Sequence, residues 1–139
     1  MSDSELKSRI LYLHDALRKL SDQSKHARAT FLDDYTISDT VLHNFQVAIE
    51  AITDIGNYIL KRGNHKIPET RGEVFELLCR HGYLDSSTEQ SLAEMSKFRN
   101  LLVHGYAAVN LEIVYDILQT RLDFLKQVAV QLAEKSEKE

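Results

Sequence analysis

The residues of this chain whose types and spacing can do chemistry fall in one stretch, Lys97-Phe98-Arg99-Asn100-Leu101-Leu102-Val103-His104-Gly105-Tyr106. On a helical wheel of about 100° per residue with Leu92 at the origin, Met95 lies at about 300°, Leu102 at about 280° and Val103 at about 20°. Arg99 falls at about 340°, inside that apolar stripe. A guanidinium there needs a polar neighbour, because a buried unpaired charge is costly. Asn100 and His104 share a different face at i,i+4 spacing. Gly105 permits a positive φ, so the chain can turn directly after the histidine. Arginine brings a fixed charge and forked donors for phosphate oxygens. Histidine takes and gives a proton near neutral pH. The pair, with no metal ligands beside it, suits metal-independent cleavage of RNA, where the ribose 2′-hydroxyl is an internal nucleophile. Two structural readings stand next to this one. Arg99 can snorkel at a helix–helix boundary, and His104 can be an ordinary helix-end cation that favours the local dipole.

Other chemistries lack their residues. The chain has no G-x-x-x-x-G-K-[ST], no G-x-G-x-x-G and no G-x-S-x-G. Its histidines are His14, His26, His43, His65, His81 and His104, and no two are three or four residues apart. No helix therefore presents a histidine pair to a metal, and neither a metal nor a cofactor is expected. Cys79 and His81 are close in sequence, but Cys79 sits in the run Val74, Phe75, Leu77, Leu78, which reads as core.

The elements that position these residues are helices. Five glycines and one proline punctuate 139 residues, and strand-like alternation is scarce. Five helices are predicted, packed as an all-α antiparallel bundle. The first runs from about Ser4 to Arg28, with Leu6, Ile10, Leu13, Leu17 and Leu20 on one stripe. The second follows a Ser38 or Asp39 cap and ends near Arg62, with Gly63 as its stop. The third is short, with Thr70 and Glu73 at capping-box spacing and Gly82 closing it. The fourth runs from Ser86–Ser87 to His104, terminated by Gly105. The fifth starts after Asn110, and the charged end from 131 to 139 is expected to fray.

Composition limits the rest. Hydrophobic residues make up 43% of the chain, enough for a core, and the length suits a single domain over 1–139. The net charge of −4 argues against a broadly basic nucleic-acid surface but not against a local one. Charge is patterned: residues 61–81 carry five basic groups against three acidic ones, whereas residues 31–60 carry five acidic groups and no basic one. One cysteine allows no internal disulfide and suggests a reducing compartment. The first ten residues lack an apolar signal core, and no apolar run is long enough to span a membrane. A cytoplasmic protein without a membrane partner is the expectation.

The segment Arg99-Asn100-x3-His104-x-Tyr106 resembles the R-x4-H-x-Y motif of HepT-type toxins in the HEPN superfamily of ribonucleases. Asn100 matches a polar preference directly after the arginine. The second helix with Ala48-Ile49-Glu50-Ala51, the segment Ile67-Pro68 through Phe75 to Gly82, and the helix after Asn110 follow the family's pattern. The likeness covers about residues 5–130. It implies a HEPN-like helical fold, a homodimer, and cleavage of an RNA substrate without a metal in a cleft shared by two protomers. Arg99 and His104 would be catalytic, with Asn100 orienting them. The implied partner is an MntA-like nucleotidyltransferase antitoxin that transfers AMP to Tyr106. Glu50 matches the pattern without an assigned role. A catalytically silent HEPN protein that only binds a nucleotidyltransferase is the competing reading, and a purely structural helical dimer is a third.

Overall fold

The computed structural model describes residues 2–104 and 109–137, with nothing stated for the His104 side chain. Gly105, the expected stop of the helix before it, lies outside the described residues, as does Tyr106. All regular structure among the described residues is helical: α1 (Asp3–Gln23), α2 (Arg28–Asp33), α3 (Tyr35–Arg62), α4 (Arg71–Arg80), α5 (Glu89–His104), α6 (Leu111–Thr120) and α7 (Leu122–Glu137), with a 3-10 turn at Ser86–Thr88 before α5. The all-α bundle is as expected, with seven helices rather than five.

The two extra helices have a common cause. The four residues Ser24-Lys25-His26-Ala27 separate the end of α1 at Gln23 from Arg28, and α2 then turns Phe31 fully into the core. Phe31 packs on the Tyr115 ring of α6 at 5.2 Å between centroids. The Tyr115 hydroxyl donates to the His26 carbonyl at 2.7 Å, and Arg28 lies over the same ring while pairing with Asp116. The expected last helix breaks at Arg121 into α6 and α7, so that α6 can follow α2 while α7 follows α1 and α3.

α3 is the central helix and touches α1, α2, α4, α5 and α7. Val41, Phe45, Ile49, Ile52, Ile55 and Ile59 recur at helical spacing and are all buried. Its cap is Asp34, not Ser38 or Asp39: the Asp34 carboxylate accepts from the Thr36 backbone N–H at 3.0 Å and from its hydroxyl at 2.6 Å. α1 runs antiparallel to it, since Asp3 meets Tyr58 and Arg9 meets Asp54. α4 begins at the Thr70 cap, whose side chain accepts from the Glu73 N–H at 3.2 Å, and ends before Gly82, whose φ of 77° only glycine adopts freely. It lies close on α3 at Gly56, where a Cβ would stand 2.7 Å from Leu78 Cδ1 and 2.8 Å from Val74 Cγ1.

Of the stretch expected to fray, residues 131–137 continue α7, and 138–139 lie outside the described residues. α7 is helical through Glu137, Leu132 and Ser136 are buried, and Arg62 donates to the carbonyls of Ser136 and Lys135, both at 2.6 Å. These bonds satisfy carbonyls that a helix C-terminus otherwise leaves open. Cys79 is core, as read from its neighbours, and burial pushes its thiol above the ordinary range. No helix among the described residues is long and apolar enough to cross a membrane.

Candidate functional site

α5 packs against α3 with Leu92, Met95, Phe98 and Leu102, all buried, and Phe98 meets Phe45 edge-on at 5.3 Å. The apolar stripe of α5 therefore faces this protomer's own core. Leu92 and Met95 are buried in it and so are not available to a subunit interface. The apolar residues that this end of α5 leaves outside are Val103, 38% exposed and on the Arg99 side, and Leu101, 60% exposed and on the opposite face.

Arg99 leaves the core side of this helix with its side chain only 14% exposed. Its Nε and Nη2 both donate to Glu50 Oε1 on α3, and its Nη1 donates to Asn100 Oδ1 at 3.2 Å. The snorkelling reading fails on this geometry, because the guanidinium is held rather than released to water. The polar neighbour that the wheel demanded is a carboxylate 49 residues away in sequence. Asn100 is exposed, and its amide oxygen fixes the outer edge of the guanidinium.

Glu50 has a second cation. Its Oε2 accepts from Arg71 Nη1, at the first helical position of α4. Two arginines on one carboxylate leave a net charge of +1, in a chain whose overall charge is −4. α4 is brought there by the Gly56 contact and by Gly72, where a Cβ would lie 3.6 Å from the Ser96 hydroxyl of α5. Beyond Glu50, towards α1, Arg9 and Asp54 pair at 3.5 Å. Burial pushes the Asp54 carboxyl above its ordinary range, and Arg9 opposes that shift. A cleft of about 420 Å³ opens here, lined by Arg9, Tyr12, Gln46, Glu50 and Asp54 among others.

His104 is the last residue of α5, five positions after Arg99. That spacing is about 7.5 Å along a helix axis, so the histidine backbone lies just over one turn beyond the arginine. The i,i+4 face proposed for Asn100 and the His104 ring falls outside the description. So does Tyr106. Among the described residues, no three of His, Cys, Asp and Glu gather as a metal-binding set.

Sequence reasoning named Arg99 and Asn100, which the structure joins by a hydrogen bond, and left Glu50 without a role. The signal for Glu50 was present: it is the one charge in the run Val47-Ala48-Ile49-Glu50-Ala51-Ile52. Nothing in the sequence singled out Arg71, since an arginine at the start of a short helix reads as solvent-facing.

An inward arginine bound to a carboxylate, just over a turn before a helix-terminal histidine in an all-α bundle, is an arrangement with donors able to hold an anion. Residues 13–132 match the family described as HepT-like, ribonuclease HepT-like. The chain belongs to that HepT-like ribonuclease family. It is 33% identical over 97 residues to the mRNA nuclease HepT of Shewanella oneidensis, spanning 70% of this chain and 73% of that protein. Its fold is similar to the tri-AMPylated Shewanella oneidensis HEPN toxin solved in complex with an MNT antitoxin, with a TM-score of 0.85, 27% identity and coverage of 96% and 99% of the two chains. A toxin–antitoxin structure with AMP-PNP gives a TM-score of 0.83 at 26% identity, covering 95% of this chain and 99% of that one.

Proposed function

We propose that this chain is the toxin of a toxin–antitoxin pair, a metal-independent endoribonuclease that works as a cytoplasmic homodimer. The observation that carries the reading is Arg99: a partly buried, doubly anchored guanidinium set just over one turn before His104 at the end of α5. In the reaction, His104 accepts the proton of a ribose 2′-hydroxyl or donates one to the leaving 5′-oxygen. The 2′-oxygen bonds to phosphorus, the bond to the 5′-oxygen breaks, and the products are a 2′,3′-cyclic phosphate and a 5′-hydroxyl. Arg99 stabilises the charge that grows on the phosphoryl oxygens. Glu50 and Asn100 take contacts from three of the arginine's nitrogens but fix its direction, which is what preorganised charge stabilisation requires.

Proton transfers at both the attacking and leaving oxygens call for two acid–base groups, and a two-fold dimer supplies the second His104. Val103, exposed and about 40° from Arg99 on the α5 wheel, is the apolar residue suited to that interface. Mixing Arg99→Ala protomers with His104→Ala protomers is expected to give partial cleavage in the mixed dimers. A fully active monomer in sedimentation at low concentration contradicts the shared cleft.

The competing reading is a silent HEPN module that only binds a nucleotidyltransferase. Expression of the chain alone is expected to arrest growth, and His104→Ala is expected to abolish the arrest. Arrest that survives the substitution removes the catalytic reading and favours the binding module.

A further inference from the structure

The site contains a charge that the proposed reaction does not use. Arg71 shares Glu50 with Arg99, yet the two arginines differ in access: the Arg71 side chain is 54% exposed and the Arg99 side chain 14%. Among the described residues Arg71 bonds to Glu50 through Nη1 alone, so most of its fork of five N–H donors faces outward. Arg99 instead gives three of its nitrogens to Glu50 and Asn100. A purely structural ion pair for α4 needs only one of the two arginines. The second cation makes the cluster positive and places an open guanidinium beside the held one, on a different helix.

We propose that Arg71 is a second phosphate-binding residue, taking an RNA phosphate next to the one that Arg99 handles, with Glu50 as the spacer between the two guanidinium groups. This rests on the ribonuclease reading of Arg99. The ligand chemistry is a polyanion with phosphates in sequence, for which two separated forks are suited and one is not. Glu50 keeps the arginines from repelling each other while the site is empty. An incoming phosphodiester then meets a cluster of net charge +1 without displacing the carboxylate. In a chain whose net charge is −4, this local positive charge guides where RNA settles.

The test uses a single-stranded 2′-O-methyl RNA, which lacks the nucleophile and binds without being cut. Binding to the full chain is measured against salt concentration, and cleavage kinetics are measured on the unmodified RNA. Arg71→Gln is expected to weaken binding about tenfold, as loss of a charge-assisted contact does. It should also lower the log–log salt slope by about 0.7, the value for one phosphate contact on a single strand. KM is expected to rise and kcat to stay within a few-fold. Arg71→Lys keeps the charge and is expected to keep the slope, which separates charge from folding. An unchanged slope in Arg71→Gln, or a fall in kcat with KM unchanged, overturns the assignment and makes Arg71 a brace for Glu50. A parent protein that cuts RNA while its slope ignores Arg71 removes this inference alone. A parent whose slope depends on Arg71 but that cuts no RNA removes the ribonuclease reading and leaves the anion site.

Discussion

A His104→Ala variant is expected to cleave RNA roughly 10²–10⁴-fold more slowly than the parent, the range for losing one proton-transfer group, with little change in RNA binding. Arg99→Ala is expected to lose both rate and binding, since the proposed role of Arg99 is to hold the phosphoryl oxygens and stabilise the charge that develops on them. Arg99→Lys is expected to rescue little. A lysine is a point charge on a flexible stem, and it cannot reproduce the donors that hold Arg99 simultaneously on Glu50 and Asn100. It would also leave Glu50 paired mainly with Arg71. Steady-state kinetics on a defined RNA check all three variants. A His104→Ala variant with the parent's kcat takes the histidine out of the chemistry.

The second large effect concerns Tyr106. Addition of AMP to its hydroxyl is expected to extinguish cleavage. The step forms a bond from the tyrosine oxygen to the α-phosphorus of ATP, releases pyrophosphate and frees the phenolic proton. It sets a negative phosphodiester within seven residues of Arg99 and two of His104 in sequence. That phosphate competes with RNA for Arg99 and, on the assignment above, for Arg71. The adenosine adds a steric block, so inhibition needs no conformational change. The related Shewanella oneidensis HEPN toxin bears three AMP units in its complex with an MNT antitoxin. Co-expression of this chain with an MntA-like nucleotidyltransferase is expected to add the mass of one or more AMP units, mapped to Tyr106. A Tyr106→Phe variant is expected to stay toxic and resist the covalent part of neutralisation. Equal neutralisation of both forms, with no mass gain in either, assigns inhibition to tight binding of the partner instead.

Much of the fold was legible because α3, α4 and α5 carry strong local signals. Val41 to Ile59 repeats at helical spacing, Thr70 and Glu73 form a cap, and Gly82 supplies the left-handed turn. The breaks at Ser24–Ala27 and Arg121 were not legible, since neither contains glycine or proline. They are set by a tertiary event, the packing of Phe31 and Arg28 on Tyr115. The end of α7 was misread for the same reason: its charged sequence looks solvated, yet Arg62 of α3 holds its last carbonyls. At the site, a one-dimensional argument found an arginine in an apolar stripe and required a polar partner. The identity of that partner depends on how α3 and α5 cross, and neither Glu50 nor Arg71 is near Arg99 in sequence. The wheel also cannot say which body the stripe with Leu92 and Met95 faces; the structure turns it to this protomer's own core.

The central claim is that Arg99 and His104 cut RNA through the substrate's own 2′-hydroxyl. The most direct measurement incubates the purified chain with a defined RNA in excess EDTA and identifies the new ends by mass. The account predicts undiminished cleavage, a 2′,3′-cyclic phosphate on one fragment and a 5′-hydroxyl on the other, with no such products from His104→Ala. Cleavage abolished by EDTA and restored by a divalent metal, or fragments that end in a 3′-hydroxyl and a 5′-phosphate, would contradict it.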